Sequence, residues 1–137
     1  MSKSTRGSVA IEVAILIPVL ILVVAAAAAG WRLWWTQTQV EATAQAAARA
    51  ASLATSVRQA EIAVEAIIGS DLGRLCQKQT ITKDLTAVGF TAGVAGTVRV
   101  EITCGVNLAD LLLPLPGSID VRGSATEAVD IFRKKGQ

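Results

Sequence analysis

Histidine and tyrosine are absent from this 137-residue chain. Their absence removes the commonest general base and the commonest metal ligand. Charge is also scarce: only 18 % of residues are Asp, Glu, Lys or Arg, and the net charge is +2. That is too little for a polyanion-binding surface, and the one basic cluster is the short tail Arg133, Lys134, Lys135. Nucleic acid is therefore not an expected partner. The two cysteines are too few to hold a metal without other ligands, and no CxxC redox motif occurs. No metal or cofactor is expected. No carboxylate pair or Ser–Lys spacing suggests a catalytic centre, so the chain is not expected to be an enzyme. Its length allows about one small domain at most.

Apolar residues, by contrast, are plentiful at 52 %, and they are concentrated in the first third of the chain. Val13 to Ala29 carries no charge and no strongly polar side chain. Counted from Ser8 to Trp31 the stretch holds about 24 residues, or roughly 36 Å as a helix, enough to cross the hydrocarbon core of a membrane. Trp31, Arg32, Trp34 and Trp35 follow at once. Aromatic rings with a cation at the end of an apolar run are the composition of a membrane–water interface; packing of these rings into a core is the alternative. Lys3 and Arg6 precede the run, with no acid before Glu12. This flank asymmetry places the amino terminus in the cytoplasm and the remainder outside. A removable secretory signal with a small-residue cleavage site near Ala29 competes with this reading. Glu12, Pro18 and the unbroken helical pattern beyond the alanines argue against removal.

The pattern continues through "TQVEATAQAAARAASLATSVRQAEIAVEAIIG", residues 38 to 69, which is rich in the best helix former. Val40, Ala44, Ala47, Ala51, Ala54 and Val57 fall on one helical face. One nearly continuous helix is predicted from Ser8 to Ile68, roughly 90 Å long. Gly30 is a candidate bend and Gly69 the predicted C-cap. The small side chains permit close approach of another helix; a solvated stalk is the other reading.

Beyond Gly73, Val98, Val100, Ile102, Cys104 and Val106 alternate with polar residues, which predicts a half-buried strand. A second alternation runs through Ile119, Val121, Gly123 and Ala125. Between the two, Pro114, Pro116 and Gly117 exclude regular structure. Leu111, Leu112, Leu113 and Leu115 there either cover the sheet or offer a docking surface. Cys76 and Cys104 both fall in the part placed outside the cytoplasm. One disulfide between them is the expected state, and two free buried thiols are the alternative. The predicted fold class is α+β: a long transmembrane helix continues into an Ala-rich helix and leads to a small antiparallel β domain. The predicted segments are 1–7, 8–31 (membrane), 32–69 (helical extension) and 70–137 (β-rich).

Glu12 remains unexplained by this scheme. A carboxylate at the centre of a membrane helix costs about 2.5–3.5 kcal/mol even on lenient scales. "RG" followed by "SVAIE" resembles a prepilin processing site, at which a membrane peptidase cuts after a glycine and leaves a glutamate as the fifth mature residue. Gly7 would then end a leader, 1–7, and Ser8 would begin the mature chain. More narrowly, "RGSVAIEVAILIPVLILVV", with Pro18 six residues beyond Glu12, followed by "AAARAASLA", is similar to the TadE/TadG-like proteins of tight-adherence pilus systems. The closing "LPLPGSIDVRGSAT" also looks like the ends of that family. Val13 is a departure, since many members carry an aromatic residue after the glutamate.

The resemblance implies a minor pilin-like (pseudopilin) membrane protein of a tight-adherence, Flp-type pilus assembly or secretion system. It implies as partners other pilin or pseudopilin subunits met through the amino-terminal helix, a prepilin peptidase, the pilus assembly platform and membrane lipid. It implies placement in the plasma membrane as a single-pass protein, or at the cell surface within a pilus. Cleavage would create an amine on Ser8 able to pair with Glu12 of the same or a neighbouring chain. Pro18 leaves the Ala14 carbonyl without its usual donor and is a predicted helix kink. The competing class is a single-pass anchored module that binds an envelope component and forms no filament.

Overall fold

The computed structural model describes residues 6–91, 93–111, 116–130 and 132. Two helices come first, α1 (Arg6–Leu53) and α2 (Val57–Leu72). Three strands follow, β1 (Lys78–Asp84), β2 (Thr97–Asn107) and β3 (Ser118–Ala128), in the antiparallel order β1-β2-β3. The class is therefore α+β, with one helix long and apolar enough to cross a membrane.

The nearly continuous helix predicted to reach Ile68 is divided. α1 ends at Leu53, and Ala54, Thr55 and Ser56 turn the chain into a helical hairpin. The cause is local capping. The Ser56 hydroxyl accepts from the Gln59 backbone N–H, while Gln59 Oε1 accepts from the Thr55 N–H and, at 2.7 Å, from its hydroxyl. This reciprocal arrangement satisfies donors that a helix start leaves orphaned. The far end also moves: α2 passes through Gly69 and is capped by Gly73.

The alanine face fills the space that the hairpin creates. Val40, Ala44, Ala47, Ala48 and Ala51 have no exposed surface, and Ala54 is buried too. They pack with Ala60, Val64, Ile68 and Leu72 of α2 and with Val98, Val100, Ile102 and Val121 of the sheet. The Ala-rich stretch is thus a core element rather than a solvated stalk. Val57, predicted on this face, is exposed, because it begins the second helix after the turn.

The sheet lays one face on the helices and turns a polar face outward. β2 alternates as predicted, with Val98, Val100, Ile102, Cys104 and Val106 all buried. β3 places Val121 and Gly123 inward, with Ile119 and Ala125 half-buried. A Cβ on Gly123 would stand 2.8 Å from the Val40 carbonyl, so the absence of a side chain lets the α1 backbone lie directly on β3. Beside it, Gln37 Nε2 donates to the Arg122 carbonyl at 2.8 Å. β1 was not predicted: of its seven residues, KQTITKD, only Ile81 is strongly apolar. It is a half-buried edge strand, joined to α2 by a Lys83–Glu65 ion pair of 2.7 Å. The connection after β2, predicted to be irregular, contains one 3₁₀ turn, Leu108–Leu111, and the Leu108 N–H donates to the Gly117 carbonyl. The side chain of Leu111 and residues Leu112, Leu113, Pro114 and Leu115 lie outside the described residues, as does the basic tail.

Candidate functional site: the apolar half of the first helix and its junction with the head

Two parts of the chain carry the candidate function, the amino-terminal half of α1 and the place where it meets the folded head. From Ile11 to Val24 every residue is exposed, with Leu22 69 % accessible. An apolar surface of that extent has no place in water and marks a membrane or partner surface. α1 runs through Pro18 and Gly30 as one helix of 48 residues, about 70 Å. Gly7 and Ser8 lie in its opening turns; their side chains are outside the described residues. Glu12 is exposed on the helix four residues beyond Ser8, one helical turn away.

At the junction the helix changes from fully exposed to one-sided. Trp31, Trp34 and Trp35 stand out from it, 64 %, 57 % and 52 % exposed, with the Trp31 and Trp34 rings 5.4 Å apart. This exposure excludes the alternative of core packing. Thr36, the next residue, is buried. The Thr36 and Thr38 hydroxyls donate to the Arg32 and Trp34 carbonyls, both at 3.0 Å, so they enter the helix without unpaired polar groups.

The head meets the tryptophans through its disulfide-tied end. Cys76 and Cys104 are bonded, as expected, with their Cα atoms 5.2 Å apart. The bond fastens the segment after α2 to β2. The Gln77 N–H donates to the Gly105 carbonyl next to it. Because α2 runs back along α1, its end returns to the level at which α1 leaves its apolar half. A groove of ≈ 610 Å³ opens there, between Trp31, Arg32 and Trp35 on one side and Arg74, Leu75 and Val106 on the other. No sequence signal pointed to Arg74, Leu75 or Val106. They join the site only through the hairpin.

Among the described residues no group of three or more His, Cys, Asp or Glu could hold a metal ion. The carboxyl of Asp84 has a displaced titration. Hydrogen bonds from the Thr86 hydroxyl, at 2.8 Å, and from the Thr86 N–H hold its carboxyl below the ordinary 3.8.

An exposed apolar helix feeding a small disulfide-tied head fits the class of membrane-anchored proteins. Residues 7–49 match the family model described as TadE-like protein. The match covers the apolar half of α1, the junction and most of the alanine face, and it agrees with the resemblance read from the motifs. No curated protein and no solved structure matches the chain. The match and the apolar helix together fit a Tad pilus-associated membrane protein.

Proposed function

We propose that this protein is a minor pilin-like subunit, a pseudopilin, of a tight-adherence pilus assembly or secretion system. The observation that carries the reading is the continuity of α1. Its TadE-like segment begins as an exposed apolar helix and becomes, without a break, the central core helix of the head. A subunit built this way waits in the membrane on its helix. It can later exchange lipid for the helices of neighbouring subunits, without refolding the head. The head lies outside the cytoplasm, where its disulfide is stable. The role is structural rather than catalytic. Its partners are other subunits, a prepilin peptidase and the assembly platform.

Glu12 has a place in this scheme. Cleavage after Gly7 would leave a charged amine on Ser8 one turn away, and pairing within or between subunits would offset the cost of a carboxylate near lipid. The test is amino-terminal sequencing of the membrane-extracted protein after co-production with its peptidase. The expected mature chain begins at Ser8, and Gly7→Leu leaves the longer precursor. A chain that keeps Met1 or Ser2 would overturn the reading. The family match ends at residue 49, before most of the head. That observation favours, as the second reading, an anchored envelope-binding module without a filament; the same uncleaved chain would support it.

A further inference from the structure

The head exposes apolar surface at both of its ends. At the junction end, Trp31, Trp35, Leu75 and Val106 line the groove of ≈ 610 Å³. At the other end, where the helical hairpin turns, Leu53, Val57, Phe90 and Val94 are exposed, Leu53 by 67 % and Phe90 by 41 %. Val57 begins α2 four residues after Leu53, and its Cγ2 would stand 3.7 Å from a Cβ on Gly89, the residue before Phe90. The Phe90 ring lies beside Gly96, and the Val94 N–H donates to the Thr91 carbonyl in the same turn. β2 starts at Thr97, next to Gly96, and passes through Val106 at the groove, so the two surfaces lie at opposite ends of the sheet. α1 runs between them without a break, which sets them about 30 Å apart along the helix. Grouped apolar side chains left open on a folded head mark a contact surface.

We infer that the tip of one copy, Phe90 with Leu53, Val57 and Val94, docks in the junction groove of a second copy. The occupant is a second copy because the chain carries both halves of the fit, an apolar knob at one end and an apolar-walled groove at the other. A contact between unlike ends does not close on itself. Each added copy offers a fresh tip, and the copies stack in an open row. Four side chains are far fewer than the roughly 20–30 residues a side of a stable interface, so the docking acts together with packing of α1 and not alone. The inference rests on the subunit reading above and names the contact that follows it. Its consequence is timing. Copies anchored in one bilayer hold their grooves at one height with their tips about 30 Å above, so docking waits until one copy is raised by that distance.

The test uses the full chain in detergent, where copies are free to shift along one another, with chemical cross-linking read on a gel. The unaltered chain should give a ladder of species that lengthens with concentration. Phe90→Asp in the tip and Leu75→Asp in the groove are changes at exposed positions, so the thermal midpoint of the head should stay in place. Each variant alone should lose every species above the monomer. Mixed in equal amounts, the two should restore a dimer and nothing larger, because the intact tip of one meets the intact groove of the other. A mixture without the dimer, or an unaltered chain that stays monomeric at every concentration, would overturn the docking. So would a ladder kept by Leu75→Asp alone, the mark of a tip-to-tip contact, or by Phe90→Asp alone, the mark of groove against groove. A ladder untouched by either change, the mark of helix packing alone, would overturn the docking and leave the subunit reading standing. That reading fails separately, on an amino terminus that is never processed.

Discussion

One helix lives in two environments. From Ile11 to Trp35 nearly all of α1 is exposed and apolar; from Thr36 to Leu53 the same helix hides one face completely. The first half has large β-branched and leucine side chains pointing in every direction. The second has alanines on the buried face and Glu41, Gln45 and Arg49 on the exposed one. Bulk all round suits a solvent of lipid chains, which fits any shape. Small residues on one face suit a fixed neighbour, because they permit close approach to the helix backbone. The difference separates a surface left exposed on the chain from one already matched to fixed neighbours.

Three perturbations probe that contrast. The largest effect is expected from the disulfide, which belongs wholly to the head. Its two cysteines are 28 residues apart in sequence, and closing such a loop contributes about 3.5 kcal/mol in the chain-entropy picture. Cys76→Ser with Cys104→Ser should lower the thermal midpoint of the head in detergent while the helicity of the apolar half persists. If both signals melt together, the two halves are one cooperative unit and the contrast fails.

A smaller effect is expected from a matched pair within α1. Val40 has no exposed surface and Val24 is 61 % exposed. Val40→Ala should destabilise the head by about 1.5–3 kcal/mol, whereas Val24→Ala should leave its denaturant midpoint unchanged. Equal effects would show that the apolar half packs on the head.

The smallest effect lies farthest from the helix. Asp84 titrates below the ordinary carboxylate value because Thr86 hydrogen-bonds the charged form. A lowered folded value means that the contribution is complete above the unfolded value near 3.8 and is lost as pH falls through the folded one. Thr86→Val should move the Asp84 midpoint upward in an NMR titration. No movement would show that the hydroxyl does not hold the carboxylate.

Much of the molecule was legible before its structure. The apolar run and the alternations that became β2 and β3 follow from short-range patterns, and the pairing of Cys76 with Cys104 from the chain having just two cysteines. β1 escaped because an edge strand half open to water needs few apolar residues, and Ile81 alone could not make a pattern. The hairpin turn was written in Thr55, Ser56 and Gln59, but an alanine-rich background with strong helix propensity concealed it. Gly69 misled for the opposite reason. A glycine inside a helix costs only about 1 kcal/mol, and packing of Ile68 and Leu72 on either side keeps the helix going to Gly73.

Taken by itself, the sequence determined that a membrane-length helix exists, which residues alternate into strands, and which family motif surrounds Gly7, Glu12 and Pro18. Those properties depend on residues within a turn or two of one another. The tertiary structure alone decided that α1 is the core helix of the head, that Gly123 receives its backbone, and that Arg32 and Arg74 share one groove. Residues that far apart in the chain meet only because the hairpin reverses α2 along α1. The capping turn at Thr55, Ser56 and Gln59 starts that reversal, and burial of the alanine face, which needs α2 and the sheet together, holds it.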